Sequence, residues 1–162
     1  MPTEAALADD DIAPLLERMT ATSTLFRGIE PDALAELLRQ GGRRVRLSPG
    51  EDLVREGEAA EAIYFIESGS FEVLKRSDAA GVDNGRVGTG VVVGGEDGHA
   101  IDRMHSGAVV GEVALLDRGT RSATVRALEP ATAIELRVRD LDRSAGTLPP
   151  AVQMQLNLAH EL

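Results

Sequence analysis

Short apolar segments separated by Gly, Pro and Ser turns dominate the chain from residue 43 onward. Val45 and Leu47 alternate with two arginines, and the sequence Ser48-Pro49-Gly50 then predicts a turn. A continuous apolar run of strand length follows at residues 62–66. Many short strands joined by such turns are typical of a β-sandwich or barrel, so the pattern argues against a parallel α/β sheet. Further strands are predicted at residues 71–74, 99–104, 123–127 and 134–138.

Helical periodicity is confined to the two ends of the chain. Ile12, Leu15, Leu16 and Met19 recur at three- and four-residue intervals after an acidic start, which predicts an N-terminal helix. A second helix is predicted over residues 31–40, with Pro at its first turn and Gly at its end. Short helical segments are also expected at residues 140–145 and after the two prolines at 149 and 150.

Composition excludes several function classes. Lys and Arg number 17 and Asp and Glu 27, so the net charge is 17 − 27 = −10, which argues against a nucleic-acid-binding surface but leaves room for one buried anion site. Aromatic residues make up 2%, too few for a base-stacking platform. There is no cysteine, and the three histidines lack metal-ligand spacing, so neither a thiol enzyme nor a metal site is expected. No stretch has the length or charge pattern of a membrane span or secretory signal, and we expect a cytoplasmic protein without membrane insertion.

Residues 77–98 carry 7 of the 17 glycines. No GxxxxGK[ST] sequence is present, so this segment is interpreted as a long strand connection, with residues 91–93 as one extra strand, and not as a phosphate loop.

The segment from Gly107 to Val125 carries the chemistry. Residues 112–116 could form a single helical turn after Gly111, with free N–H groups at its start. Arg121 lies close to an apolar strand, where its charge needs either a protein partner or an anionic ligand. An arginine for a phosphate and Glu112 for a sugar hydroxyl together indicate a nucleotide site.

This segment resembles the phosphate-binding cassette of the cyclic nucleotide-binding domain family, in which Gly-Glu-x-Ala-Leu precedes Arg-[Ser/Thr/Ala]-Ala-Thr-Val. The step of nine positions from Glu112 to Arg121 is similar to that of cyclic-AMP-dependent kinase regulatory subunits. Upstream, the resemblance includes Pro49-Gly50-Glu51, Glu56-Gly57-Glu58, Tyr64-Phe65-Ile66 and Ser68-Gly69. The matching cassette positions are Gly111, Glu112, Ala114, Leu115, Arg121, Ala123, Thr124 and Val125.

The resemblance implies a mainly β fold with flanking helices: an eight-stranded β-roll of the double-stranded β-helix, jelly-roll type. Residues 1–24 would form an N-terminal helical segment, residues 25–141 the roll with its Gly-rich insertion at 77–98, and residues 142–162 a C-terminal hinge or lid helix. The ligand would be cAMP or cGMP, with no other cofactor. The implied ligand-binding residues are Gly111, Glu112, Val113, Ala114, Arg121, Ser122, Ala123 and Thr124.

Within that site, the resemblance implies that Glu112 accepts the ribose 2′-hydroxyl and Arg121 pairs with the cyclic phosphate. The backbone N–H groups of Gly111 and Ala123 would complete the phosphate site. Ser122 occupies the position at which Thr accompanies cGMP and Ala accompanies cAMP, and we lean to cAMP. Met154, Leu156 and Leu158 are lid candidates that would close over the base.

Two functions fit this sequence. The first is a regulatory sensor domain, not an enzyme, which signals to an unknown effector protein and forms a possible homodimer. The second is a ligand-free protein-interaction domain of the same fold, in which Arg121 pairs with Glu112 or Asp117 and leaves no open site.

Overall fold

A computed structural model describes residues 2–76, 98–112 and 119–141. The predictions for the Gly-rich insertion, for most of the cassette and for the C-terminal hinge or lid helix lie outside these residues. Nine strands and three α-helices occur in the described part of the chain. In chain order they are β1 (Thr3–Ala6), α1 (Asp9–Thr22), α2 (Pro31–Gly41), β2 (Arg43–Leu47), β3 (Asp52–Val54), β4 (Ala62–Ser68), β5 (Ser70–Lys75), β6 (His99–His105), β7 (Val109–Val110), β8 (Thr124–Ala127), β9 (Ala131–Arg137) and α3 (Val138–Leu141), with a 3₁₀ turn at Thr24–Phe26.

The strands form two antiparallel sheets, one in the order β1-β2-β9-β4-β7 and the other in the order β3-β8-β5-β6. Strands β2 to β9 are the eight strands of the β-roll, so the predicted mainly β fold with flanking helices is confirmed. None of the helices in the described ranges is long and apolar enough to cross a membrane.

The first strand was not predicted within the N-terminal helical segment at residues 1–24. Thr3–Ala6 pairs with β2 at the edge of the larger sheet, with Glu4 opposite Val45. All four of its side chains are exposed, so no alternation of apolar and polar residues marked it in the sequence. It forms because the outer edge of β2 offers unpaired backbone groups, which any extended segment can satisfy.

The last predicted strand is corrected at its end. β9 begins at Ala131 and stops at Arg137, whereas Val138 starts α3. Arg137 is opposite Ala62, the first residue of β4, so the ladder has no further partner. The backbone N–H of Val138 instead donates to the carbonyl of Glu61 at 2.9 Å, and its side chain packs with the helices.

The larger sheet is buried on both faces, which explains the unbroken apolar run in β4. Ile63 and Phe65 face α1 and α2, where Phe65 meets Phe26 edge to face at 6.2 Å between ring centroids. Ile66 faces the inside of the roll, with Tyr64 partly buried beside it. The sheet therefore separates a helix-facing core from the roll interior.

Phe65→Ala should lower the free energy of unfolding by about 3–5 kcal/mol, because it leaves a cavity at the junction of sheet and helices. Urea denaturation measures the change. Ile101→Ala is the matched control, since Ile101 is 52% exposed on β6 and should change stability by less than about 0.5 kcal/mol. Similar losses in both variants would contradict the two-faced burial of this sheet.

Candidate functional site

A cavity of about 540 Å³ lies at one end of the larger sheet. Its described walls are residues 59–62 and Tyr64 at the start of β4, Glu135 with residues 137–139 at the end of β9, and Arg121, which lies beside Ala62 and Tyr64. This volume lies in the range of small-molecule sites, which are typically about 300–1,000 Å³.

The backbone of Arg121 is fixed by two hydrogen bonds to the turn before β4. Its N–H donates to the carbonyl of Glu58 at 2.7 Å, and its carbonyl accepts from the N–H of Gly57 at 2.9 Å. Residue 120 forms an isolated β-bridge with Ala59 alongside. The residue therefore enters the cavity from a rigid backbone, although regular strand β8 begins only at Thr124.

The guanidinium of Arg121 is buried, with 8% of the residue exposed. One amino group, Nη2, donates to the carbonyl of Ala62 at 2.7 Å, and the group lies 5.8 Å from the centroid of the Tyr64 ring. The other, Nη1, has no hydrogen-bond partner among the described residues. An unsatisfied, charged nitrogen is costly to bury, so an anion that reached this atom would remove that cost.

No carboxylate in the described ranges forms an ion pair with Arg121. Burial lowers the pKa of Arg121, and Glu58 and Glu135 oppose that shift from a distance. The pairing with Glu112 considered from the sequence is therefore not formed. The other considered partner, Asp117, lies outside the described residues.

Gly111 contacts the guanidinium directly. Its φ of +80° is a left-handed conformation that favours glycine, and a Cβ at this position would overlap Nη1 of Arg121. Gly111 thus leaves space for the Arg121 side chain. The sequence had predicted a different role for this residue, a contact of its backbone N–H with the phosphate.

The remaining predicted residues occupy different environments. Glu112 is half-buried and follows Gly111, but it is not part of the cavity wall. Ser122 is exposed, and its carbonyl accepts from Nζ of Lys75 at 3.0 Å. Ala123 is half-buried. Thr124 is buried and its hydroxyl accepts from the N–H of Glu56 at 3.0 Å, which stabilises the β3–β4 connection.

Five of the predicted positions lie outside the described residues: Val113 and Ala114 of the cassette, and the lid candidates Met154, Leu156 and Leu158. Their predicted roles stay predictions.

Sequence reasoning missed a polar cluster on the β4 and β9 wall of the cavity. The Tyr64 hydroxyl donates to one carboxylate oxygen of Glu135 at 3.1 Å, and Nε of Arg137 donates to the other at 3.1 Å. Burial and the nearby Glu135 carboxylate raise the pKa of Tyr64, so its phenol stays protonated and can donate. The signal was present in the sequence, because Glu135 and Arg137 are the polar positions of an alternating strand, but neither was predicted to be a site residue.

The chain matches the model of the cyclic nucleotide-binding domain over residues 44–145, which is more than half of its 162 residues. It belongs to the cyclic nucleotide-binding domain family. The matched range contains the whole cavity wall and Arg121.

Relatives of this cyclic nucleotide-binding domain include regulatory and channel proteins. A cAMP-dependent protein kinase regulatory subunit from Debaryomyces hansenii is 35% identical over 105 residues, 65% of this chain and 18% of the relative. The potassium/sodium hyperpolarization-activated cyclic nucleotide-gated channel 4 of Oryctolagus cuniculus is 27% identical over 110 residues, 68% of this chain. That match is 8% of the channel, so the chain spans a small part of such relatives.

A solved cyclic nucleotide-binding domain from Methylobacillus flagellatus is similar in fold. Its TM-score is 0.71 at 19% sequence identity, and the alignment covers 98% of this chain and 80% of that one. The likeness confirms the β-roll.

Gly111→Ala should destabilise the domain by more than the strain of a left-handed alanine, because the new methyl group displaces the Arg121 side chain. Gly50→Ala is the matched control, since Gly50 has a φ of +87° and nothing within 4 Å of the added Cβ. We expect Gly111→Ala to cost at least about 1 kcal/mol more than the control, measured by urea denaturation. In an Arg121→Ala background this excess should disappear, and its persistence there would show that Arg121 is not what Gly111 accommodates.

Proposed function

We propose that this domain is a regulatory sensor that binds a cyclic nucleotide, cAMP or cGMP, with the cyclic phosphate at Arg121. The observation that carries the proposal is the unpaired Nη1 of a buried guanidinium at the wall of a cavity. A phosphate oxygen would supply both the missing hydrogen bond and the missing counter-charge. Family membership supports the same ligand class.

Each residue of the site would contact a different group of the ligand. Arg121 would donate from Nη1 to the phosphate, and because this atom is buried, the side chain would shift so that the phosphate can reach it. Glu112 would accept the ribose 2′-hydroxyl, and the N–H groups of Gly111 and Ala123 would complete the phosphate site. Ser122 is exposed, and the lean to cAMP over cGMP stays a prediction from the sequence.

The output is proposed to be conformational and not chemical. Ligand binding would shift the population of two arrangements of residues 142–162, with Met154, Leu156 and Leu158 closing over the base. Such a shift requires different affinities for the two arrangements. The effector would be a separate protein or another part of a longer chain, and a homodimer is one assembly that fits.

Arg121→Met should weaken cyclic nucleotide binding at least tenfold, since a charge-assisted hydrogen bond contributes about 1.5–3 kcal/mol. Isothermal titration calorimetry with cAMP and with cGMP measures the affinity. Arg46→Gln is the matched control, because Arg46 is exposed on β2 and its loss should leave the affinity unchanged.

The same variant separates folding from binding. The melting temperature of Arg121→Met without ligand should equal or exceed that of the natural sequence, because the variant no longer buries an incompletely satisfied charge. Saturating cyclic nucleotide should raise the melting temperature of the natural sequence by more than that of the variant; ligand at 100 times its Kd contributes about 2.7 kcal/mol. If neither nucleotide binds the natural sequence at millimolar concentration, the sensor proposal is wrong and the ligand-free interaction domain is favoured.

A further inference from the structure

Glu135 is a charged side chain inside the roll, and neither its burial nor its position follows from the phosphate site itself. The residue is 6% exposed and lines the same cavity as Arg121. Its neighbours on β9, Ile134 and Leu136, face the helix-packed side of the sheet. A carboxylate on this wall repels every anion that enters the cavity.

The carboxylate is held in place by one donor on each oxygen. The Tyr64 hydroxyl and Nε of Arg137 each donate to it at 3.1 Å. The Arg137 side chain is 35% exposed and the Glu135 side chain is 8% exposed. The Arg137 end of this ion pair therefore lies nearer the solvent than the Glu135 end. The pair is electrically neutral as a whole.

The charges of the described cavity wall can be counted. Glu135 and Arg137 cancel, and the buried guanidinium of Arg121 leaves one positive charge. The other two charged residues of this described wall, Glu61 and Arg139, are exposed, opposite in sign and screened by solvent, and Glu58, which acts on Arg121 from outside the wall, is exposed and screened as well. A ligand with a single negative charge balances this cavity, whereas a second negative charge would lack a partner and be repelled by Glu135.

Building on the proposed function, we infer that Glu135 selects ligands by charge: it admits singly charged phosphodiesters and disfavours phosphomonoesters. A cyclic nucleotide is a diester with one negative charge. A 5′-mononucleotide is a monoester whose second pKa is about 6, so it carries between one and two negative charges at neutral pH. Glu135 is then a specificity-determining residue that distinguishes the cyclic ligand from its hydrolysis product.

Calorimetry at pH 7.5 with two ligand pairs, cAMP with 5′-AMP and cGMP with 5′-GMP, tests this inference. Glu135→Gln keeps the shape of the side chain and one oxygen acceptor, and it removes the charge. We expect the affinity ratio of cyclic to 5′-nucleotide to fall at least about fivefold, mainly because the 5′-nucleotide binds more tightly. Glu129→Gln, which removes one charge from an exposed turn, is the matched control and should leave the ratio unchanged.

A second variant should change ligand affinity in the opposite direction, and it tests the inference even if Glu135→Gln fails to fold. Arg137→Gln leaves the charge of Glu135 uncompensated beside Arg121, so both ligands should bind more weakly and the cyclic ligand should lose at least about fivefold. Melting temperatures of both variants report whether they fold.

The possible failures are distinguishable. If the natural sequence binds cyclic nucleotide but the ratio in Glu135→Gln matches that of Glu129→Gln, the charge-selection inference is overturned and the sensor proposal stands. The inference is likewise overturned if Arg137→Gln binds the cyclic ligand as the natural sequence does. If the natural sequence binds neither cyclic nucleotide, both proposals fail together.

Discussion

A buried guanidinium with one unsatisfied amino group is the feature on which the site depends. The β-roll encloses Arg121, and the carbonyl of Ala62 and the Tyr64 ring hold its side chain in one orientation. Gly111 leaves the space that the group fills. These contacts satisfy one amino group and leave Nη1 buried without a hydrogen-bond partner among the described residues, which carries a free-energy cost that a bound anion would remove.

The larger sheet links this site to the helices. Successive side chains of β4 point to opposite faces, so the Tyr64 ring lies beside Arg121 while Ile63 and Phe65 pack in the helix-facing core. The backbone carbonyl of Ala62, on the same strand, accepts a hydrogen bond from Arg121. Val138 extends the link, because it bonds the carbonyl of Glu61 and packs in the helix-facing core. A displacement of the Arg121 side chain on binding would be transmitted to the helices through one short strand, β4. This strand is a direct structural link between the site and the helices.

The sequence predicted the architecture well because burial leaves a periodic pattern. Helices α1 and α2 and the central strands were found from their apolar spacing, and the cassette motif located Arg121. Strand β1 was not predicted, because all its side chains are exposed and only backbone pairing holds it in place. Glu135 was missed for a different reason: alternation separates two faces of a strand but does not reveal that the polar face is enclosed by a second sheet. The unpaired Nη1 was also beyond the sequence, since it depends on which acceptors lie within reach.

The most direct measurement is the NMR spectrum of the arginine side chains, recorded on protein labelled with ¹⁵N at arginine, without and with cAMP or cGMP. The buried Arg121 predicts one set of Nη–H signals that shifts and exchanges more slowly with water when the nucleotide binds, and that is absent from Arg121→Met. Saturation with nucleotide that leaves the Arg121 signals unchanged would contradict the assignment of Nη1 as the phosphate donor.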